Sequence, residues 1–470
     1  MPFNLGIKDF FVRRQSFFQK INLDGTFQER IQQLKERMTA RTENKPLVVI
    51  SGAGPAGLLR AIQSISNGNP TKVVEKRSQD ALGRENTVAL TETTIAMLKY
   101  CGIYPYLLEN RLIYPPNREG YISVRLKDLE KAMKTVLEEL SPGSVIEYNS
   151  RIVEIDTNAD RLRLIIESST EERSTISDVG IFVNAEGARS STNDILKIER
   201  IEVLPAIPVI AAMCRDDRPY ITNLNSFFVY IGKSITQLAI TSYYHTIFFF
   251  QFIFSKNFRT QITGALILPT PDQNYVGCGF SDTINARFKE LKESGNEQEY
   301  IAFANHWINL AICAANLVSI LSWFQGGSYL HTARNIPLDH FEIVYIGADS
   351  ASKYVQKVKN STILLAGDAS ATVDPTTGLG CNTAIQSSVD FLDFLWDYDT
   401  LSKDQIQDDY QNRTSARIED IHCASKLMRS RYRPDSLQPM SMFGANPIGL
   451  TSHASRQEEI VDGKKKPGIR

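Results

Sequence analysis

The chain has 470 residues, length enough for two or three domains and several buried cores. Its 52 Lys and Arg against 53 Asp and Glu leave a formal charge of −1, which gives no basic footprint for nucleic acid. At 42% hydrophobic and 9% aromatic residues it is too apolar for disorder and too interrupted for a polytopic membrane protein. The six cysteines (101, 214, 278, 313, 381, 423) contain no CxxC pair, which excludes a disulfide framework or a Cys-type zinc site and points to a reducing, cytoplasmic setting.

The N-terminus lacks a continuous apolar run and a small-residue cleavage site, so no signal peptide is expected. Residues 1–45 form an N-terminal helical extension in this reading. From Thr26 to Arg41 the apolar Phe27, Ile31, Leu34 and Met38 recur at helical spacing. The helix either packs on the next domain or lies on a membrane surface, nine basic against five acidic residues in 1–45 keeping the second option open.

Residues 47–51 (LVVIS) predict a buried strand, followed directly by Gly52-Ala53-Gly54-Pro55-Ala56-Gly57 and an amphipathic stretch. Asn67-Gly68-Asn69-Pro70 ends that helix, Thr71–Val74 is a second strand, and Glu75 closes it. This is GxGxxG in the context that gives it meaning: strand, glycine turn, helix, strand, acid. Gly52 allows the tight turn, Gly54 lets a pyrophosphate approach the backbone, and Gly57 allows close helix–strand packing. The helix start offers N–H groups and positive dipole to the phosphates, and Glu75 can accept both ribose hydroxyls. The pattern alone does not separate NAD from FAD.

Residues 201–344 carry no cofactor signal. Strand-like runs cover 204–213, 226–231, 237–242, 246–254, 261–268 and 275–280, and a helical stretch covers 297–323. The run 246–254 (TIFFFQFIF) is too short to span a bilayer as a helix. It is a buried strand, an apolar substrate lining or a partner surface. The six histidines show no metal-ligand spacing, so no metal is expected.

Residues 361–366 (STILLA) predict another buried strand, ending in Gly367-Asp368. Pro375-Thr376-Thr377-Gly378-Leu379-Gly380-Cys381-Asn382 then leads into a helix carrying Ala384, Ile385, Val389, Leu392 and Leu395. Asp368 at a strand end suits a ribityl hydroxyl. The glycine turn brings N–H groups to a flavin ring where reduction places negative charge. Residues 402–430 look helical with Ser402 as N-cap, and a polar tail follows.

The early GxGxxG…E with the late GD…PTxGxGxN resembles the group A FAD-dependent monooxygenases, the aromatic-hydroxylase type, over about 46–200 and 355–400. The resemblance implies cofactor contacts from Lys76, Arg77, Arg84 and Asn86. It adds Arg125, at an Arg-x-x-Leu helix start, and Glu186, which stands where the family has Asp. The first half is similar to the MICAL-type monooxygenases, carried by Glu75-Lys76-Arg77, Arg84-Glu85-Asn86 and the helix after Arg125. In the second half Pro375 takes the place of that type's flavin-side tryptophan.

The implied fold is α/β: a Rossmann-like FAD-binding domain of the glutathione-reductase type, residues 46–200 and 345–400. An inserted β-sheet substrate domain covers 201–344, and a C-terminal helical segment and tail cover 401–470. The implied activity uses NAD(P)H (NADPH or NADH) and O2 to transfer one oxygen atom through a flavin hydroperoxide, with a protein methionine, as on actin, the finer expectation. Hydroxylation of a small aromatic, an NAD(P)H oxidase releasing hydrogen peroxide, and a flavin-binding module without turnover are the alternatives. No acid–base residue is implied; Asn86 and Pro375 are the nearest catalytic candidates.

Overall fold

The computed structural model describes residues 23–39, 45–81, 87–114, 122–143, 145–215, 227–229, 262–269, 273–280, 282–307, 341–374, 379–398 and 400–432. The chain divides into two units. The first comprises Met1–Pro116, Tyr121–Pro205 and Gly347–Ser425; the second comprises Asn117–Gly120, Ala206–Ile346 and Lys426–Arg470.

In the first unit, α1 (Phe27–Thr39) opens with a capping box. Thr26 Oγ1 accepts from the Glu29 N–H while Glu29 Oε2 accepts from the Thr26 N–H. Its Phe27, Ile31 and Leu34 join the core. β1 (Leu47–Ser51), α2 (Pro55–Ser66) and β2 (Thr71–Val74) follow, β2 lying parallel to β1 with Ser51 opposite Val74.

β3 (Thr87–Leu90), α3 (Glu92–Tyr100), α4 (Ile103–Glu109), β4 (Ile113–Tyr114) and β5 (Ile122–Arg125) come next. Their strands form a small antiparallel sheet in the order β3-β5-β4. β5 runs directly into α5 (Leu126–Leu140), which buries Leu129, Met133, Val136, Leu137 and Leu140 at helical spacing. β6 (Ile146–Glu147) adds parallel to β2, and β7 (Ser150–Asp156), β8 (Leu162–Ser168) and β9 (Arg173–Asn184) make an antiparallel meander.

β9 changes character along its length. Its first half is largely exposed, and its second half (VGIFVN) is continuously buried. That second half slots parallel between β1 and the later β16 (Ser361–Leu365), and a strand covered on both faces needs such an unbroken apolar run. Alternate residues serve the two faces: Val48, Ile50, Ile181, Val183 and Leu364 pack with the α2/α5 side, and Val49, Phe182 and Ile363 with Ile152 and Leu164. α6 (Ser191–Ile195) follows β9 and is capped by Ser190 Oγ.

The second unit is a five-stranded sheet with helices. β10 (Arg200–Arg215) enters it, then β11 (Phe227–Val229), β12 (Ile262–Pro269), β13 (Gln273–Phe280), α7 (Asp282–Glu293) and β14 (Phe341–Ala351), in the order β11-β12-β13-β10-β14. Four of the expected strand runs fall on β10 to β13. The runs at 237–242 and 246–254 lie outside the described residues, as does the tail from 433.

Back in the first unit, β15 (Val355–Val358) and β16 form a hairpin that completes the eight-stranded sheet, β15-β16-β9-β1-β2-β6 with β7 and β8 branching from β9. A 3₁₀ turn (Gly367–Ala369), α8 (Gly380–Gln386), α9 (Ser388–Asp397) and α10 (Lys403–Tyr432) follow. The single helix expected after the glycine turn is two, broken at Ser387. Ser402 Oγ accepts from the Gln405 N–H at the start of α10. The first unit therefore runs beyond residue 400, through Ser425, because Ile406, Tyr410 and Ile418 of α10 are part of its core. Among the described residues no helix is long and apolar enough to cross a membrane.

Candidate functional site

The GxGxxG turn sits between β1 and α2, and its three glycines are glycine for different reasons. Gly52 has φ +100°, and a Cβ there would stand 2.5 Å from the Ala185 carbonyl oxygen. At Gly57 a Cβ would stand 1.9 Å from the Gly52 oxygen. Gly54, the N-cap of α2, has an ordinary φ of −78°, and a Cβ there would meet nothing within 4 Å. Neither backbone conformation nor packing among the described residues asks for glycine at 54, and the space in front of it is open. Ala53 and Ala56 are buried behind the turn, and Pro55 takes the first helical position, where its missing N–H costs nothing.

Glu75 is buried just past the end of β2, and this chain occupies its carboxylate. Oε2 accepts from the Ala53 N–H at 2.6 Å and from Arg77 Nη2 at 3.3 Å; Oε1 accepts from the Arg77 N–H at 2.9 Å and Nε at 3.1 Å. Burial opposes ionisation, but these bonds outweigh it and hold the carboxyl below its ordinary range. Arg77 also donates to the Ala53 carbonyl at 3.2 Å and to Glu130 of α5 at 3.4 Å. Burial pushes the Glu130 carboxyl up. Lys76 points to solvent.

The second turn meets the first: a Cβ on Gly367 (φ +59°) would stand 2.7 Å from the Ala56 Cβ. Asp368 is half-buried beside it, and Leu379, Gly380 and Cys381 open α8. At Gly380, as at Gly54, a Cβ would meet no atom of the described residues within 4 Å. Asn382 is buried and turned inward. It accepts from the Thr91 N–H at 3.1 Å and donates to the Ala89 carbonyl at 2.8 Å, bracing α8 against the β3–α3 junction. Burial pushes the Cys381 thiol up to about 12, which favours packing over redox reactivity. Pro375, Gly378, Arg84 and Asn86 lie outside the described residues.

Glu186, the longer acid of the middle motif, reaches the start of α6. It accepts from the Thr192 N–H at 3.0 Å, Thr192 Oγ1 at 2.7 Å and Ser190 Oγ at 3.0 Å, and also bonds Ser51. Arg125 is half-buried at the N-cap of α5.

Three supports carry no motif signal. Arg60 of α2 is fully buried and reaches the Ala384 carbonyl at 3.4 Å and Ser387 Oγ at 3.0 Å, joining α2 to α8 and its end. Asp390 and Arg417 form a buried bidentate pair at 2.8 and 3.2 Å that ties α10 to α9. Arg200 and Asp349 bond each other at the Gly367–Ala369 turn, and Asp349 is held below its ordinary range by Arg200 and Thr372 against the effect of burial. Among the described residues no group of three or more His, Cys, Asp or Glu could hold a metal.

Residues 331–425 match the family described as FAD binding domain. No curated protein sequence matches the chain. Among solved structures, the flavin-dependent halogenase CmlS superposes with TM-score 0.57 at 16% identity over 88% of this chain and 71% of its own. The p-nitrophenol 4-monooxygenase PnpA from Pseudomonas putida DLL-E4 gives 0.56 at 14% over 90% and 99%. The anhydrotetracycline hydroxylase OxyS from Streptomyces rimosus gives 0.56 at 14% over 91% and 78%. The chain thus has the α/β FAD-binding fold of flavin-dependent oxidoreductases, with its FAD binding domain match on the segment that carries the second glycine turn.

Proposed function

We propose that the chain is an FAD-dependent monooxygenase that takes electrons from NAD(P)H and inserts one atom of O2 into a small aromatic substrate. The observation that carries this reading is the pair of open glycines, Gly54 and Gly380, on two turns that touch through Gly367 and Ala56. A glycine with no internal reason to be glycine is what a closely approaching ligand requires.

The residues fit the cofactor. The turn before α2 offers N–H groups and helix dipole to a pyrophosphate. Glu75 takes the ribose diol once the half-exposed Arg77 side chain releases its hold, since Arg77 now fills three of the carboxylate's four acceptor positions. Asp368 would take a ribityl hydroxyl, and the N–H groups at the start of α8 would stabilise the negative charge that reduction places on the ring. FAD when bound supplies the electron transfer and the oxygen chemistry. The chain's residues bind, orient and exclude water, and no side-chain acid or base is assigned.

Hydroxylases of aromatic compounds among the similar folds favour an aromatic substrate, but a halogenase among them means the fold alone does not fix the chemistry. The test is reconstitution of the full chain with FAD, then NADPH and NADH oxidation with a panel of phenols and polycyclic aromatics, with product mass measured. Retained flavin and a product heavier by one oxygen atom support the reading. A chain that retains no FAD refutes it. Hydrogen peroxide accounting for all O2 consumed would make it an oxidase, and oxidation of an actin methionine in a parallel arm would move it to the MICAL type.

A further inference from the structure

β10 carries the chain out of the first unit just after Arg200, and β14 brings it back just before Asp349. These two side chains pair, and both are turned onto the loop that presents Asp368. Arg200 Nη1 donates to the Ala369 carbonyl at 2.7 Å, and Nη2 donates to the Asp368 carbonyl at 3.1 Å and to Asp349 Oδ1. The Ala369 carbonyl takes a second bond from Asn193 Nδ2 at 2.9 Å.

Asp349 grips the far side of the loop. Its carboxylate accepts from Thr372 Oγ1, its N–H donates to that same oxygen at 3.0 Å, and its carbonyl accepts from the Thr372 N–H at 2.9 Å. The Ala351 N–H bonds the Ser370 carbonyl at 2.7 Å. The peptide planes on both sides of Ala369 are thus set by a guanidinium fork. The Gly367 carbonyl accepts from the Ser370 N–H at 2.9 Å and Oγ at 2.6 Å, which sets the plane before Asp368, and the two planes that flank Asp368 fix the direction of its Cα–Cβ bond. A lysine could not make the same set of bonds, since a point charge has no planar fork.

We propose that Arg200, oriented by Asp349, is a positioning residue for the cofactor. It fixes the turn so that the Asp368 carboxylate stands toward a ribityl hydroxyl of FAD. The proposal rests on the FAD reading above and assigns Arg200 no contact with the reacting atoms.

The test uses the full chain as wild type, Arg200→Met, Arg200→Lys, Asp349→Asn and the Arg200→Met/Asp349→Asn double variant, each titrated with FAD. The readouts are the FAD dissociation constant, the visible circular dichroism of the bound flavin, and its midpoint potential by dye equilibration. Arg200→Met is expected to weaken FAD about tenfold or more and to shift both the dichroism and the potential, since it removes charge-assisted bonds to two carbonyls. Lysine recovers part of the affinity. Asp349→Asn gives a smaller loss in the same direction, and the double variant is no worse than Arg200→Met, because the two act as one unit. An Arg200→Met protein with wild-type affinity, dichroism and potential overturns the proposal; if that variant does not fold, wild-type values in Asp349→Asn overturn it. A wild-type chain that retains no FAD refutes the flavin reading itself, and this proposal with it.

Discussion

Gly54→Ala and Gly57→Ala, three positions apart in one turn, should fail in opposite ways. At Gly57 the added Cβ lands 1.9 Å from the Gly52 carbonyl oxygen and 3.0 Å from its carbon. Ordinary contact begins at 3.4 Å, so α2 must retreat by about 1.5 Å from the turn (3.4 less 1.9). Both atoms are backbone, and every residue of α2 after Pro55 is buried, so the retreat disturbs the core. A cost of about 3 kcal/mol, the upper end for overpacking, is expected in the apoprotein. At Gly54 the Cβ meets nothing within 4 Å and φ is ordinary, so alanine should leave the apoprotein unchanged or steadier by about 0.5 kcal/mol through the unfolded chain. Its effect should fall on FAD, whose pyrophosphate needs that space: a tenfold or greater loss of affinity, about 1.4 kcal/mol or more. Thermal melting of the apoproteins and FAD titration by flavin fluorescence separate the two. A Gly54→Ala chain that binds FAD as tightly as wild type would refute the cradle, and a Gly57→Ala chain that melts with wild type would refute the packing argument.

Asn382→Ala should cost about 1–2 kcal/mol by urea unfolding, since it strands the half-buried Thr91 N–H and Ala89 carbonyl; no change would mean the brace is not real. Arg417→Met should cost about 3–5 kcal/mol by leaving Asp390 charged and buried, and Arg417→Met/Asp390→Leu should recover most of it; a double variant as unstable as the single one counts against an ion-pair cause. Iodoacetamide at mildly alkaline pH should label exposed Cys423 and spare Cys381, whose thiol burial pushes up to about 12, and peptide mapping showing fast labelling at Cys381 would contradict that. Asp349 and Glu75 ionise below their ordinary range, so their stabilisation is full above the unfolded values near pH 4 and is lost as pH falls through the folded ones. Acid unfolding of Asp349→Asn should therefore be flatter below about pH 4 than that of wild type.

The cradle could be read from sequence because its causes are local. A parallel strand covered on both faces must be an unbroken apolar run, a tight turn must be glycine, and Ser402 stands where a helix needs a cap. What escaped depends on partners distant in sequence. Glu75 stands just past β2, where its spacing predicts it, but nothing near it in sequence announces that Arg77 and the Ala53 N–H fill its acceptor positions. Asn382 has the look of a ligand residue and braces two backbone groups instead. The break at Ser387 is invisible in the apolar pattern because α8 and α9 continue the same face across it; Ser387 Oγ bonds the Ala384 carbonyl and receives Arg60. Arg200 and Asp349 are 149 residues apart and belong to no motif. α7 lies between the expected strand at 275–280 and the expected helix at 297–323, and its Ile284, Phe288 and Leu291 stand at helical spacing and are all buried.

The proposed site is made of turns, and that poses a mechanical difficulty which accounts for where this unit places its polar side chains. The positions proposed to face a ligand are backbone, and at Gly54 and Gly380 a Cβ would meet no atom of the described residues within 4 Å. Such turns cannot hold their shape from the front before a ligand arrives, and ordering them then would be charged against affinity. They are held from behind. Glu75 fixes the Ala53 N–H, Arg200 the carbonyls of Asp368 and Ala369, Arg60 the Ala384 carbonyl, Asn382 the Thr91 N–H, and Glu186 the start of α6. Each is a side chain with two or more donors or acceptors, and each bonds main chain. That usage also bears on catalysis. Glu75 and Glu186, the two acids among them, are engaged as acceptors that position main chain, and under the proposed reading the bound cofactor would carry the chemistry.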